Sequence, residues 1–337
     1  MEVFGDTAAV YRGFAAEAAG ESPCFEHWAH SVARDGEVLE WLARLPERKR
    51  QPNLVFAAAR WHGVPAPGPY DALRTALLED DGTLARTILA RSTQTNEVGR
   101  LATLAPVFAM LGGPLSLIEA GASAGLCLYP DRYDYRWATD EGVRVLGGTG
   151  GPVLTTAADG PLPVPERPLE VTWRAGVDLN PLDVTREDDV AWLLTLVWPE
   201  QTSRRARLQA AVAVARDEPP RLVRGDLLDT LPALVAEAPG VPVVFHSAVV
   251  VYLEPDRRPE FVAMMTDLVG RGACHWVSNE APGVLPGVPV PAPARSGRFL
   301  LAVDGVPVAW THGHGADVAW LPASERPGTS ASPSAFS

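Results

Sequence analysis

Cysteine is scarce in this chain, which has 3 cysteines among 337 residues. Cys24, Cys127 and Cys274 lie far apart and none belongs to a C-x-x-C pair. An odd number of widely spaced cysteines argues against a disulfide framework and against a cysteine-based zinc site. We therefore expect free thiols in a reducing cytoplasm and no bound metal.

Basic residues are fewer than acidic residues. The 29 lysines and arginines face 41 aspartates and glutamates, which gives a formal net charge of −12. Such a chain is repelled by nucleic-acid phosphates and by anionic membrane surfaces. The first residues lack the basic and apolar regions of a secretory signal. We therefore expect a cytoplasmic protein with neither nucleic acid nor membrane as its partner.

One uncharged stretch, residues 101–118, is long enough to suggest a membrane span. It contains Pro106 and the break Gly112-Gly113-Pro114. Because proline and glycine interrupt regular structure, the stretch predicts a buried helix, a turn and a core strand instead.

The first 112 residues carry helical periodicity and no strand-like alternation. Apolar residues recur at helical spacing in the runs AVYRGFAAEA, CFEHWAHSVARDGEVLEWLARLP and NLVFAAARWHG. Two more helical runs are YDALRTALLEDDG and LARTILARSTQTNEVGRLATLAPVFAML. Proline or glycine ends several of these runs. We predict an all-helical N-terminal cap over residues 1–112.

The pattern changes at residue 113. Short apolar runs now alternate with helical stretches, and they read PLSLIEAG, LEVTWRAGVDL, PRLVRGDL, VPVVFHSAVVVYL and ACHWVSNE. Strands alternating with helices predict an α/β domain with a mostly parallel sheet. The later run RFLLAVDGVPVAW predicts an antiparallel hairpin that finishes this sheet. We place the domain at residues 113–322, with an insertion near 140–168 and a disordered tail at 323–337.

The run LIEAGASAGLCL combines an acidic strand end with a turn of small residues. Gly121 would allow a sharp turn, and Gly125 would let a following helix pack closely. Ala122 and Ser123 would leave space for a ligand at the N-terminus of that helix. Glu119 suits a ligand with amines or hydroxyls and would repel phosphate. An ordinary tight turn, with glycines for packing alone, is the alternative.

Two aspartates also end predicted strands. Asp178 lies in VDLNPLD and suits ribose hydroxyls, whereas Asp226 lies in RGDLLD, before Leu227, and suits an exocyclic amine. Ligands of open α/β sheets bind at the carboxyl ends of strands. Asp226 could instead be the N-cap of the next helix.

His246 directly follows the core strand in VVFHSAVVVYL. It could touch the ligand or act as a base, or it could be a buried histidine with satisfied hydrogen bonds. The chain has no G-x-S-x-G elbow, so a serine hydrolase is not predicted. His312 and His314 lack an acidic or cysteine partner at useful spacing and are interpreted as loop residues.

The polar run RSTQTNEVGR lies between apolar helices, where amides and charges usually serve a ligand or a network. A helix through it would place Asn96 and Arg100 on one face, closing a pocket above Gly121. Glu97 is a second candidate base. A solvated loop is the alternative for this run, and a proline kink is the alternative for Glu200 in VWPEQ. The predicted substrate-binding residues are Gln94, Asn96, Arg100, Glu200 and Tyr252.

Residues 114–312 resemble the Rossmann-like S-adenosylmethionine-dependent methyltransferases in the order of their motifs. These motifs are EAGASAGLCL, the strand of Asp178, GDL, FHSAVVVYL and the closing hairpin. A second resemblance spans nearly the whole chain. Its motifs are RQPNLVFAAAR, TQTNEVGR, GASAGLCL, VDLNPLDV, VWPEQ, GDL, FHSAVVVYL and VSNEAPG. They are similar to an uncharacterised bacterial family, domain-of-unknown-function family 2332.

The methyltransferase resemblance implies S-adenosylmethionine as cofactor and a small molecule as methyl acceptor. It implies that Asp226 and Leu227 contact the adenine and that His246 lies near the sulfonium or the acceptor. The residues implied at the methionine part are Glu119, Gly121, Ala122, Ser123 and Gly125.

The position of the ribose-binding acid departs from the pattern. In related dinucleotide folds this acid follows the first glycine by about 20 residues, and Asp178 lies much farther from Gly121. Either residues 133–170 are an insertion and Asp178 is the acid, or YDYRWATD is the second strand and Asp140 is the acid.

Methyl transfer would depend mainly on proximity, with His246 or Glu97 as base. A non-catalytic regulatory protein that binds S-adenosylmethionine or a nucleotide is an alternative. An NAD-dependent oxidoreductase would need a G-x-G-x-x-G motif, which GASAG does not supply. No oligomeric state is predicted.

Overall fold

The computed structural model describes residues 6–94 and 96–325. The chain forms two compact units. The first unit comprises Met1–Thr95 and Arg186–Gln209, and the second comprises Asn96–Thr185 and Ala210–Ser337. Residues 186–209 thus belong with the N-terminal helices, although the strands before and after them belong to the second unit.

The α-helices follow one another along the described chain. They are α1 (Thr7–Ala18), α2 (Pro23–Val32), α3 (Gly36–Ala43), α4 (Pro52–Trp61), α5 (Tyr70–Leu78), α6 (Thr83–Ala90), α7 (Leu101–Leu111), α8 (Glu187–Leu196), α9 (Thr202–Asp217), α10 (Leu227–Glu237) and α11 (Arg258–Gly270). Within residues 6–94 and 96–325, no helix combines the length and the apolar character needed to cross a bilayer. The uncharged stretch 101–118 forms the buried helix, turn and strand that its sequence predicts.

The strands are confined to the second unit. They are β1 (Leu115–Ala120), β2 (Asp134–Thr139), β3 (Gly142–Leu146), β4 (Val153–Asp159), β5 (Val171–Asp178), β6 (Arg221–Arg224), β7 (Val243–Ser247), β8 (His275–Glu280), β9 (Phe299–Val303), β10 (Val306–Thr311) and β11 (Asp317–Trp320). They form one sheet in the order β3-β2-β4-β11-β10-β9-β8-β7-β1-β5-β6. The protein is therefore a mixed α/β protein with a large, mostly parallel sheet.

Local capping explains where the helices of the first unit begin. Ser22 precedes α2 and its side chain accepts a hydrogen bond from the Phe25 amide, with Pro23 at the first helical position. Asp35 caps α3 in the same way. These residues satisfy amides that have no partner inside the helix. The sequence signals for helices in residues 6–94 are confirmed.

Aromatic side chains fill the core of the first unit. Phe25 packs against Trp28, Phe56 and Trp198, with its ring centroid 5.0–6.2 Å from theirs. Trp198 comes from the segment 186–209, which explains why that segment belongs to this unit. Large rings bury much apolar surface, so this cluster contributes strongly to the stability of the unit.

Strand β1 lies inside the sheet, and all six of its residues are buried. It pairs in parallel with β5 on one side and with β7 on the other. After β2–β4, which lie at the far end of the sheet, the chain adds β5 and β6 on one side of β1 and then β7 on the opposite side. The carboxyl ends of β1 and β7 therefore form a switch point, where ligands of open α/β sheets bind.

Different helices cover the two faces of β1 and its neighbours. One face carries Ile118 and Val177, which pack with Leu231 of α10 and Phe261 of α11 in a buried apolar cluster. On the other face, Phe108 of α7 stacks edge-on against Phe245 of β7, with centroids 5.3 Å apart. The sheet is thus buried on both faces near the switch point, as parallel strands require.

The segment 140–168, predicted as an insertion, contains β3 and β4, which pair with β2 and extend the sheet. One prediction about the sheet is wrong. The hairpin of β9 and β10 forms at Asp304-Gly305, where both residues have positive φ. It does not finish the sheet, because β10 also pairs with β11 and β11 pairs in parallel with β4.

Candidate functional site

The carboxyl ends of four neighbouring strands bring polar side chains to one edge of the sheet. Glu119 is near the end of β1, Asp178 ends β5, Ser247 ends β7 and Glu280 ends β8. These strands are consecutive in the order β8-β7-β1-β5. This edge contains the switch point, and we describe it as the candidate site.

The turn after β1 requires glycine at its first position. Gly121 has φ 71°, and a Cβ there would lie 2.5 Å from Cγ2 of Val249. The amides of Gly121 and Ala122 both donate to the carbonyl of Val177, at 2.8 and 3.1 Å. The turn is therefore fixed to β5, and neither a side chain nor a different backbone conformation is tolerated at Gly121.

The predicted helix after this turn does not form. A short 3-10 helix, Leu126–Leu128, follows Gly125, and a second covers Pro130–Arg132. An α-helix starting at Leu126 would need a donor at residue 130, where proline has none. The Tyr133 hydroxyl donates to the Leu126 carbonyl instead, at 2.7 Å. The prediction that an α-helix begins at this turn is therefore wrong.

Asp178 braces the glycine turn from the neighbouring strand. Its carboxylate accepts hydrogen bonds from the amides of Ser123 and Asn180, each at 2.8 Å. Ser123 has φ 52°, a left-handed conformation that this bond helps to hold. The other candidate, Asp140, is exposed in the turn between β2 and β3, and six strands separate β2 from β1 in the sheet. The structure thus brings Asp178, and not Asp140, next to Gly121.

Glu119 is buried in an unusual electrostatic environment. Burial raises the pKa of its carboxyl well above the ordinary range, the Arg100 guanidinium opposes this shift, and Asp178 adds to it. The Cys127 thiol donates to the Glu97 carbonyl at 3.7 Å, and the buried Oε2 of Glu119 has no hydrogen-bond partner among the described residues. A buried carboxyl oxygen without a partner is costly unless a ligand or water completes it.

Asn96 and Glu97 also lie at this edge. The Asn96 amide donates to the Ala122 carbonyl at 3.0 Å and accepts from the Leu126 amide at 2.9 Å. Glu97 Oε1 accepts from the Gly99 amide at 3.0 Å and so caps the 3-10 helix Val98–Arg100. Asn96 precedes that helix and lies outside regular secondary structure, so the expected single helical face with Arg100 is wrong.

Arg100 links two loops at the carboxyl ends of the strands. Its Nε donates to the Gly313 carbonyl and its Nη1 to the Ser247 carbonyl, both at 2.8 Å. The side chain is buried and close enough to Glu119 to affect that carboxyl. The structure therefore unites Asn96, Glu97 and Arg100 with the turn after β1, through contacts that hold loops in place.

His246 is fully buried, and both ring nitrogens have protein partners. Nε2 accepts from the Trp276 indole at 2.9 Å, which leaves the proton on Nδ1 for the Glu280 carboxylate at 2.7 Å. The ring also packs edge-on against Phe261. In this arrangement His246 is the hydrogen-bonded core histidine that the sequence left open as the alternative.

Asp226 is the N-cap of α10 and accepts from the Leu228 amide at 2.9 Å. It also pairs with Arg257 at 2.7 Å. The hydrogen bond from Arg257 lowers the pKa of the Asp226 carboxyl, against a smaller opposing effect of burial. Leu227 is buried in the apolar core. Asp226, after the carboxyl end of β6, is thus the helix N-cap that the sequence left open as the alternative.

Three predicted residues remain, Gln94, Glu200 and Tyr252. Gln94 and Glu200 belong to the first unit, where Gln94 is buried. Glu200 accepts from the Ser22 hydroxyl and from the Cys24 amide, and so supports the start of α2. Tyr252 ends the 3-10 helix Val250–Tyr252 in the second unit and is about half exposed.

Three buried polar residues at this edge, Asn279, Glu280 and Thr311, were not predicted from the sequence. Asn279 donates to the Ser247 hydroxyl at 3.0 Å and accepts from the Thr311 hydroxyl at 2.7 Å. Glu280 joins His246 to the loop after β7. The polar end of the run ACHWVSNE was the signal for Asn279 and Glu280, since such an end repeats the pattern of Glu119 in LSLIEA.

The described residues include no group of three or more histidines, cysteines and acids that could hold a metal ion. His312 and His314 lie in the loop between β10 and β11, where the His314 amide donates to the His312 ring at 3.1 Å. These histidines therefore order their own loop.

Comparison with known proteins identifies a family and no close relative. Neither a curated protein nor a solved structure matches the chain significantly. A family model described as "Uncharacterized protein conserved in bacteria (DUF2332)" matches residues 8–320. This match covers nearly the whole chain and confirms the second resemblance found in the sequence. The chain belongs to this bacterial family.

Proposed function

We propose that the protein is an S-adenosylmethionine-dependent methyltransferase that acts on a small-molecule acceptor. The observation that carries this proposal is Glu119, a buried acid with an unsatisfied oxygen beside a glycine turn at the switch point. The site so formed suits a ligand that presents an amine to Glu119 and hydroxyls to Asp178.

The order of the strands supports a Rossmann-like fold for this part of the sheet. Strands β6-β5-β1-β7-β8 are consecutive and all parallel. Helices connect β5 to β6, β6 to β7 and β7 to β8. The connection from β1 to β5 departs from this pattern, because it contains β2, β3 and β4 and no α-helix.

The donor set fits S-adenosylmethionine better than a dinucleotide. A cofactor ammonium would donate to the free oxygen of Glu119, whereas an ionised pyrophosphate has no donor for it. Asp178 already accepts two backbone hydrogen bonds, and its carboxylate retains acceptor capacity for ribose hydroxyls. When bound, the cofactor supplies an electrophilic methyl group.

The chain's own residues favour catalysis by positioning. Both nitrogens of His246 are engaged, and Glu97 caps a 3-10 helix. We therefore propose an acceptor that needs no protein base, such as an amine nitrogen or a thiolate. Fixing it in line with the methyl group converts a bimolecular step into an effectively unimolecular one.

The engagement of His246 and Glu97 also favours a second candidate, a regulatory protein that binds S-adenosylmethionine without transferring the methyl group. Both candidates require the same cofactor site. They differ only in whether an acceptor is methylated.

Calorimetric titration of the purified protein tests the shared cofactor site. We expect S-adenosylhomocysteine to bind with a Kd on the order of micromolar, about 8 kcal/mol. NAD should bind more weakly. Glu119→Gln should reduce the affinity, whereas the matched control Glu141→Gln, in the exposed turn after β2, should not. Tighter binding of NAD would overturn the proposal.

Methyl transfer distinguishes the two candidates. The protein would be incubated with methyl-labelled S-adenosylmethionine and a panel of small amines and thiols. Label in any acceptor supports the methyltransferase. Binding of S-adenosylhomocysteine without label in any acceptor would favour the regulatory protein.

A further inference from the structure

The loop after β7, residues 248–250, lies against the turn after β1. We refer to these residues as the β7 loop. The side chain of Val249 fills the space beside Gly121, since a Cβ on that glycine would be 2.5 Å from Val249 Cγ2. Val249 therefore forms one wall of the glycine turn, and any movement of the β7 loop changes the space at Gly121.

Three consecutive amides of the β7 loop point to the end of β8. The Ala248 amide donates to the Asn279 carbonyl at 3.1 Å. The amides of Val249 and Val250 donate to Glu280 Oε1 at 2.9 and 3.2 Å. Ala248 has φ 57°, and successive amides around such a left-handed residue form a concave anion-binding surface. Here the bound anion is the protein's own carboxylate.

A third donor reaches the same oxygen from β7. Because the Trp276 indole can only donate, His246 Nε2 must accept from it, and the imidazole proton lies on Nδ1. That proton is donated to Glu280 Oε1 at 2.7 Å. One buried carboxylate oxygen thus joins the strand β7 to the loop that follows it. Hydrogen bonds to a charged acceptor are stronger than neutral ones.

We propose that Glu280 is a positioning residue, which holds Val249 against Gly121 and thereby fixes the shape of the cofactor site. Its effect on cofactor affinity rests on the proposed function, whereas its effect on the β7 loop does not. This role requires no contact between Glu280 and the ligand. It acts through two backbone amides and one imidazole.

Amide hydrogen exchange and calorimetry together test this role. The wild type would be compared with Glu280→Ala, Glu280→Gln and the control Ser278→Ala. Ser278 is buried two residues earlier in β8, so its replacement disturbs the same strand without removing a bond to the β7 loop. Exchange is read at the amides of residues 248–250, and affinity is read with S-adenosylhomocysteine.

The expected result is a graded and local change. Protection of the Val249 and Val250 amides should fall by about tenfold or more in Glu280→Ala and by less in Glu280→Gln, because the neutral amide is a weaker acceptor. The Ala248 amide keeps its Asn279 partner and should change least. Affinity should fall in the same order, and Ser278→Ala should match the wild type in both measurements.

Other outcomes distinguish the role of Glu280 in the β7 loop from the proposed function. Unchanged protection at Val249 and Val250 in both Glu280 variants would overturn the positioning role. If protection falls as expected but the wild type does not bind S-adenosylhomocysteine, the proposed function fails while the role of Glu280 in the loop stands. If Glu280→Ala does not fold, the glutamine variant and Ser278→Ala carry the same comparison.

Discussion

Two buried glutamates, Glu119 and Glu280, end strands on either side of β7 and differ in how their oxygens are satisfied. Glu280 Oε1 accepts from one imidazole and two amides, while its Oε2, like Glu119 Oε2, is buried without a hydrogen-bond partner among the described residues. Burial raises the pKa of Glu119, and the nearby Arg100 guanidinium opposes this shift. Acids in similar positions thus have different donors around them: those around Glu280 join β7 to the loop that follows it, whereas we propose that Glu119 serves a ligand.

Replacement of Glu280 should give the largest effect on stability. Glu280→Ala leaves one imidazole and two amides without their acceptor in a buried site. Loss of one partner from such a charged buried network typically costs about 3–5 kcal/mol of unfolding free energy. Urea denaturation checks this value. A loss under about 1 kcal/mol would be typical of a surface substitution and would contradict a structural role for Glu280.

Gly121→Ala should damage the site more than the fold. The added Cβ meets Val249, and the left-handed backbone adds strain of about 1–3 kcal/mol. We expect loss of measurable S-adenosylhomocysteine binding, since the β7 loop must move. The matched control is Gly142→Ala, at another positive φ with open space around it. Equal affinities of the two variants would contradict the assignment of the site to the turn after β1.

Glu119→Gln should weaken binding of S-adenosylhomocysteine by about 1–3 kcal/mol, the cost of an unsatisfied polar partner. Its effect on stability should depend on pH. A carboxyl whose pKa is raised by folding destabilises the native state as pH rises from its ordinary value of 4.5 toward the raised value. The variant should therefore gain stability relative to the wild type as pH rises above 4.5. A stability difference that does not change with pH would contradict the raised pKa.

Asp226→Ala should give the smallest change, about 1 kcal/mol of unfolding free energy, as expected for an N-cap. Folding lowers the pKa of this carboxyl below 3.8, so its stabilising effect is complete above that pH and is lost as pH falls through the lowered value. Asp226→Asn keeps a capping oxygen and should lose less. If Asp226→Ala instead leaves the melting temperature unchanged and weakens cofactor binding, the acid serves the ligand.

The local parts of the fold could be predicted from the sequence. The helices of residues 6–94, the strand runs of β1 and β5–β8, and the turn at Asp304-Gly305 each depend on spacing within a short window. The same holds for the acids at strand ends, because parallel strands bring their carboxyl ends to one edge. Glu119 and Asp178 could therefore be selected without knowledge of their partners.

Features that depend on distant pairing could not be predicted. Nothing in the local pattern of residues 140–168 shows that β4 pairs with β11, more than 150 residues later in the chain. The donors to Glu280 Oε1 come from a different strand and its loop, so the local sequence VSNE does not reveal this role. His246 shows the same limit, since its burial and two partners distinguish a core histidine from a base.

The most direct test of the central claim is a calorimetric comparison of two ligands on wild type and Glu119→Gln. The ligands are S-adenosylhomocysteine and methylthioadenosine, which keeps the nucleoside and thioether but lacks the amino acid. If Glu119 accepts from the cofactor amine, the wild type should prefer S-adenosylhomocysteine by about 1–3 kcal/mol, and the variant should lose most of that preference. An equal preference in both proteins would contradict a role for Glu119 in binding the amine.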